Sequence, residues 1–257
     1  MYLRPRLIPL LLLKEKGLVK TIKFADPRYI GDPINTVKLF NGKGVDELCL
    51  LDITASQEGR GPNFPVLEGI APEAFMPMSY GGGITNVDEM AKIFSMGYEK
   101  VVINTAAANN PKLIEQGAKR FGSQSVVVSL DVKEDLFGRR VCVVKSGQEK
   151  LKESPLVIAR RAQDYGAGEL ILGNVSRDGT MSGYDLEFIG SISHALTIPV
   201  IAAHGAGGAE DIKRVLDAGA SAAAAGSMYV YYGKHKAVLI NAPEENKLLE
   251  MGIYTDD

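Results

Sequence analysis

A single offset recurs along this 257-residue chain. The segment GVDELCLLDITAS, beginning at Gly44, matches GAGELILGNVSRDGT, beginning at Gly166. MPMSYGGGI, with Pro77, matches IPVIAAHGA, with Pro199; KVVINTAA, with Asn104 and Thr105, matches AAAAGSMY, with Gly226 and Ser227. The differences 166 − 44, 199 − 77 and 226 − 104 are each 122. One offset held over three separate blocks makes the chain two copies of one supersecondary unit.

Each copy alternates short runs rich in Val, Ile and Leu with helical patterns. Strands are expected near 7–13, 47–52, 76–80, 100–104, 126–131, 169–173, 199–203 and 222–226. Helices are expected over Asp32–Gly42, Asn86–Met96, Pro111–Phe121, Ser154–Tyr165, Asp185–Ala195 and Gly208–Ala218. Asp32-Pro33, Asn86 and Asn110-Pro111 supply N-terminal caps. Continuously apolar strands alternating with helices form a parallel sheet covered by helices. Eight of them in this length give an α/β fold, a (β/α)8 TIM barrel built from two (βα)4 half-barrels. Nothing Pro- or Gly-rich divides the chain, so residues 1–257 are expected to form one barrel domain.

A net charge of −2 offers no field for nucleic acid or an anionic membrane surface. No stretch reaches the roughly 18 apolar residues a spanning helix needs. Arg4 and Arg6 precede a greasy run, but Lys14-Glu15-Lys16 follows it with no small-residue cleavage site. Cys49 and Cys142 sit in apolar runs and are expected to be buried, reduced thiols. A cytoplasmic location is expected. His194, His204 and His235 lack metal-ligand spacing, and no dinucleotide fingerprint occurs in context, so no cofactor and no metal are expected.

In such barrels the site lies at the C-terminal face, in the loops after the strands. There the first half carries Gly81-Gly82-Gly83 and Asn104-Thr105; the second carries Gly205, Gly226 and Ser227, with Asp178-Gly179 alongside. Glycines let backbone N–H groups approach an anion closely, and Ser, Thr and Asn complete an oxygen-binding shell. Two matched clusters predict two phosphate sites, one per half: Gly82, Gly83, Asn104 and Thr105, then Asp178, Gly179, Gly205, Gly226 and Ser227. His204 stands where the repeat would place a glycine, opposite Gly82, and is expected to crowd the second site.

Setting strand 1 against strand 5 pairs Lys14 with Lys133 and Leu12 with Asp131, at an offset of 119. Asp131 therefore ends strand 5 at the barrel mouth, with Leu12 as its partner across the repeat. Two facing carboxylates share acid and base roles; one carboxylate facing a leucine does not. Asp52, ending strand 2, is a further mouth candidate.

Taken together, DELCLLDITAS, GGGI, VINTAA, FGSQSVVVSLDVK and SRDGTMSGYD resemble the HisF family, the cyclase subunit of imidazole glycerol phosphate synthase, from about Arg6 to Tyr229. The resemblance implies a class I glutaminase docked at the N-terminal face, ammonia passing through the barrel, and a cyclase at the top using aspartates of strands 1 and 5. It makes Asp131 the second catalytic aspartate and puts Leu12 in the place of the first. It makes Lys20 part of a flexible loop covering the substrate, Arg6, Glu47, Lys100 and Glu169 an ammonia gate, and Glu99 part of the glutaminase interface. An intact docking end with a changed chemical end is similar to a HisF-like branch tied to sugar amidation in surface-polysaccharide pathways. There a HisH-like glutaminase and the barrel supply ammonia to an ATP-dependent sugar amidotransferase that makes an acetamidino sugar. Two other readings stand beside it: an authentic cyclase (a lyase of histidine biosynthesis) using Asp131 with Asp52 or His204, and a sensor in which a phosphorylated small molecule regulates the glutaminase. The tail from Gly233 onward is unlike the usual ending of that family.

Overall fold

The computed structural model describes residues 4–255. Eight parallel strands run in order around a closed barrel: Arg6–Lys14, Leu48–Asp52, Met78–Gly81, Lys100–Ile103, Val126–Glu134, Glu169–Asn174, Val200–Ala203 and Ala222–Ala225. The ring closes because the first strand pairs with the eighth as well as the second, Arg6 opposite Ala222 and Leu10 opposite Cys49.

Strand alternation divides the apolar residues into two cores. Leu7, Leu11, Leu13, Leu48, Leu50, Tyr80, Val101 and Val128 face outward under the helices. Ile8, Leu10, Leu12, Cys49, Val102, Val127, Ile171, Ile201 and Ala222 face the lumen. The helices expected from the sequence form within a residue or so of their bounds. Pro33–Asn41 is capped by Asp32, whose carboxylate accepts from the Asn35 amide; Val87–Ser95 is closed by a capping box between Asn86 and Glu89.

The register confirms the repeat down to single residues. Leu12 lies opposite Leu51 and Asp131 opposite Gly173, and Leu51 and Gly173 are themselves 122 apart (173 − 51). Leu12 and Asp131 are therefore equivalent positions.

Three elements differ from expectation. The first strand runs on through Lys14 into a hairpin, Gly17–Ile22 and Ala25–Gly31, so the segment around Lys20 is paired strand rather than a flexible loop. The fifth strand does the same, pairing with Arg140–Val144. A short helix, Phe64–Ile70, follows the second strand. The tail also gains an account: helix Glu245–Glu250 buries Leu248, and Ile253 and Tyr254 pack behind it. Tyr254 Oη donates to Asp46 Oδ2 at 2.5 Å, and the Arg4 guanidinium lies 3.6 Å over the Tyr254 ring.

Candidate functional site in the barrel mouth

Alternation along each strand decides which side chains meet inside the barrel. Arg6, Glu47, Lys100 and Glu169 fall on the inward rows at the N-terminal end, and there they close into a ring. Arg6 Nη1 donates to Glu47 Oε2 at 2.6 Å and Nη2 to Glu169 Oε1 at 2.7 Å. Lys100 Nζ donates to Glu47 Oε2 at 2.9 Å and Glu169 Oε2 at 3.1 Å. Every charge has two opposite neighbours, which offsets much of the cost of taking them out of water. Burial opposes the Arg6 charge, but Glu169 and Glu47 outweigh it and raise its pKa. Glu99, exposed just before the fourth strand, lies on the same face.

At the opposite end the same rows deliver Leu12, Asn104, Asp131 and Gly173. Asp131 Oδ2 accepts from Asn104 Nδ2 at 2.9 Å, while Asp131 Oδ1 lies 3.3 Å from His204 Nε2. The other imidazole nitrogen, Nδ1, lies 3.5 Å from Asp178 Oδ1, so His204 bridges two carboxylates. Burial works against the imidazolium, but hydrogen bonds and charge from Asp131 and Asp178 outweigh it and push the pKa up to about 9. Asp178 shows the converse. Burial opposes its charge, yet His204, Lys20 and Thr21 hold its carboxyl well below the usual carboxylate range. Leu12 offers nothing polar to this network and is buried against the lumen.

His204 reaches this place at a backbone cost. Its φ is 67°, a left-handed conformation that glycine at the equivalent Gly82 (φ 124°) adopts freely. The ring then lies over Gly173, where any Cβ would overlap its Cδ2.

The hairpins cross the mouth in opposite senses. The one grown from the first half seats on the second: Thr21 Oγ1 donates to Asp178 Oδ2 at 2.6 Å, the Lys23 amide to the Asp178 carbonyl at 3.0 Å, and Lys20 Nζ lies 3.4 Å from Asp178 Oδ1. The one grown from the second half seats on the first: the Lys145 amide donates to Thr105 Oγ1 at 3.1 Å and Ser146 Oγ to the Ile53 carbonyl at 2.8 Å. Between them opens a cavity of about 370 Å³ lined by Leu12, Asp131, His204, Gly82, Gly83, Asn104 and Thr105 among others. Its floor reaches down to Leu10, Ser129 and Ile171. The first glycine cluster thus faces open space. The second, Asp178, Gly179, Gly205, Gly226 and Ser227, lines only about 10 Å³ together with Lys20 and His204.

Asp52 borders the mouth cavity, but its carboxylate is turned away from the lumen, because Glu47, Cys49 and Leu51 occupy the inward row. Its carboxylate is buried under Arg60, which donates to it from Nη1 at 2.8 Å and Nη2 at 3.0 Å, and it also accepts from the Thr54 and Ala55 amides. Its repeat mate Asn174 is likewise structural, donating to Asp185 Oδ2 at 2.8 Å. Both cysteines are buried and unbridged, and burial pushes their thiols up to about 12. No described helix is long and apolar enough to cross a membrane.

Relatives match this chain over most of its length. The chain is 46% identical over 243 residues to "Putative imidazole glycerol phosphate synthase subunit HisF" of Leptospira interrogans, covering 94% of this chain and 96% of that one. It is 47% identical over 246 residues to "Putative imidazole glycerol phosphate synthase subunit hisF2" of Pseudomonas aeruginosa, covering 95% and 98%. It is 42% identical over 227 residues to "Imidazole glycerol phosphate synthase subunit HisF" of Alkaliphilus metalliredigens, covering 88% and 90%. The model of the family described as "Histidine biosynthesis protein" matches residues 6–236, the whole barrel with both hairpins. With its half-barrel repeat and full-length relatives, the chain belongs to the histidine biosynthesis protein family, as a HisF homologue.

Proposed function

We propose that this barrel is the ammonia-conducting subunit of a glutamine-dependent system: a HisH-like glutaminase docks at the N-terminal face, around Glu99, and ammonia passes through the lumen to a separate, ATP-dependent sugar amidotransferase. The observation that carries this reading is Leu12 in the position equivalent to Asp131. A cyclase working with two facing carboxylates loses one of them here, and a missing acid or base costs about 10² to 10⁴ in rate. The docking end keeps its charges. Arg6, Glu47, Lys100 and Glu169 form a gate that opens only when a partner reorganises their ion pairs. Above it the inward side chains Ile8, Cys49, Val127 and Ala222 suit neutral ammonia and exclude ammonium, whose desolvation they do not compensate.

A second reading has its own observation. His204 and Asp131 form a dyad that can hold and move a proton, which a cyclase with a relocated acid would use in the histidine-pathway reaction. Purified barrel, given ammonia and the histidine-pathway bisphosphate precursor beside a two-aspartate HisF, separates the two. The conducting subunit leaves the precursor unconsumed while stimulating its cognate glutaminase. Turnover that disappears in Asp131→Asn overturns that reading in favour of the cyclase.

A further inference from the structure

We infer that the C-terminal face carries a docking surface of its own, built on three hairpins, for a protein that presents acidic groups around an apolar centre and consumes the ammonia. The inference rests on the proposed function for what that protein does; the surface itself is read from exposure and charge.

Exposed apolar side chains are not spread evenly over this chain. Of the ten large ones among the described residues, seven lie on segments that leave the C-terminal ends of the first, fifth and eighth strands. The first hairpin exposes Ile22 and Tyr29, and the second holds Leu136 and Phe137 almost wholly in solvent at its tip. A third hairpin, Tyr231–Tyr232 with Ala237–Val238, follows the eighth strand through the short helix Ser227–Val230. It exposes Tyr232, Val238 and Leu239. Turns over a barrel mouth form as well from polar residues, so the apolar ones are not there for the turns. Apolar exposure gathered on one face marks a surface that a partner covers, and tyrosine suits such a place by offering an apolar ring with a polar tip.

Charge on the same segments is one-sided. Residues 17–31 and 231–239 hold Lys20, Lys23, Arg28, Lys234 and Lys236 against the single acid Asp26, in a chain whose net charge is −2. Lys20 is paired with Asp178, but the other four are exposed and form no ion pair among the described residues. The first and third hairpins are neighbours: burial raises the pKa of the Tyr231 hydroxyl, and the charge of Arg28 partly counters it.

These features choose the occupant. A second copy docked face to face would set cations against cations. A lipid bilayer would cover the apolar tips but leave unfilled the 370 Å³ cavity between the first two hairpins, with Asp131 and His204 in its wall. A protein with an acidic rim pairs with all four cations and closes the cavity. That cavity is also where ammonia conducted through the lumen leaves, and a cover there keeps it from being protonated by bulk water.

The barrel–glutaminase complex, given the sugar amidotransferase, its sugar and ATP, is assayed first with glutamine and then with ammonium chloride. Arg28→Glu with Lys234→Glu, and separately Tyr29→Ser with Tyr232→Ser, should lower glutamine-driven amidation roughly tenfold at limiting barrel. The difference made by the charge pair should fade at high salt. Ammonium-driven amidation and stimulation of the glutaminase should be unchanged in both variants. Lys119→Glu, an exposed charge on the outer helix Lys112–Phe121, should change nothing. Variants that match the unmodified chain with glutamine overturn the inference and leave the proposed function standing. An unmodified complex that drives no amidation with glutamine, while ammonium does, overturns the proposed function and this inference with it. Sedimentation of the unmodified barrel with phosphatidylglycerol vesicles, lost in Arg28→Glu with Lys234→Glu, assigns the face to a membrane and overturns the inference.

Discussion

His204 stands in space that Gly173 leaves empty. The two are 31 residues apart, yet any Cβ at 173 would overlap the imidazole, and that imidazole links Asp131 to Asp178. The electrostatics of the whole mouth therefore depend on the smallest side chain in it. Gly173→Ala should expel His204 and return its pKa, followed by imidazole proton shifts, from about 9 toward the ordinary 6.5. In a double-mutant cycle, Gly173→Ala and His204→Gly should couple strongly, since the second removes what the first displaces.

The stability of the mouth should fall in mildly alkaline solution. His204 has a folded pKa raised from 6.5 to about 9, so its contribution is fully present below about pH 6.5 and is lost as pH rises through 9. Asp178, with a lowered folded pKa, contributes above the ordinary carboxylate range and loses its effect only in strong acid. Melting temperatures from pH 6.5 to 9.5 should decline in the unmodified protein, and His204→Gln should flatten that decline.

The ring at the other end should be costly to break from one side. Glu47 is 4% exposed and holds both Arg6 and Lys100. Glu47→Ala leaves Arg6 and Lys100 to share Glu169 alone and should cost about 3 kcal/mol in urea unfolding. Glu99→Ala, on the same face but exposed, should stay within about 0.5 kcal/mol and act only on glutaminase binding.

Leu12 should prove modest as a packing residue. It is buried, but it borders the mouth cavity. Leu12→Ala should sit at the low end of the usual range, about 2 kcal/mol, because the space it leaves merges with a void already present. A loss of about 5 kcal/mol, read from denaturant midpoints, would contradict the packing described here.

Tyr254→Phe tests the tail. Losing a hydrogen bond to a partly solvated Asp46 carboxylate should cost about 1 kcal/mol, visible in thermal unfolding.

The barrel and its repeat are legible in the sequence because both rest on local pattern: apolar runs of strand length, capped helices and one fixed offset. The equivalence of Leu12 and Asp131 follows from the same pattern and is confirmed by register. Asp52 shows the signal read incompletely. Strand parity from Glu47 already sends position 52 outward, and Arg60, eight residues on, completes the pair. The hairpin over 17–31 is harder to see, since its turn places Lys23 and Phe24 at φ 53° and 63° without the glycine or asparagine that marks such turns. Crowding by His204 is visible as a broken glycine match. Its bridging of two aspartates is not, because that needs Asp131, the pair Gly173 and Asp178, and His204 itself brought together from three strand ends.

The crossed hairpins bear on how this doubled chain unfolds. Thr21 and Lys23 bind the second half across the top, Lys145 and Ser146 bind the first in return, and Arg6 reaches Glu169 across the bottom. Each repeat therefore completes part of its hydrogen bonding only on the other copy. The duplication remains visible as symmetry, yet the copies are tied together at both ends, and amide exchange should report one cooperative opening shared by both.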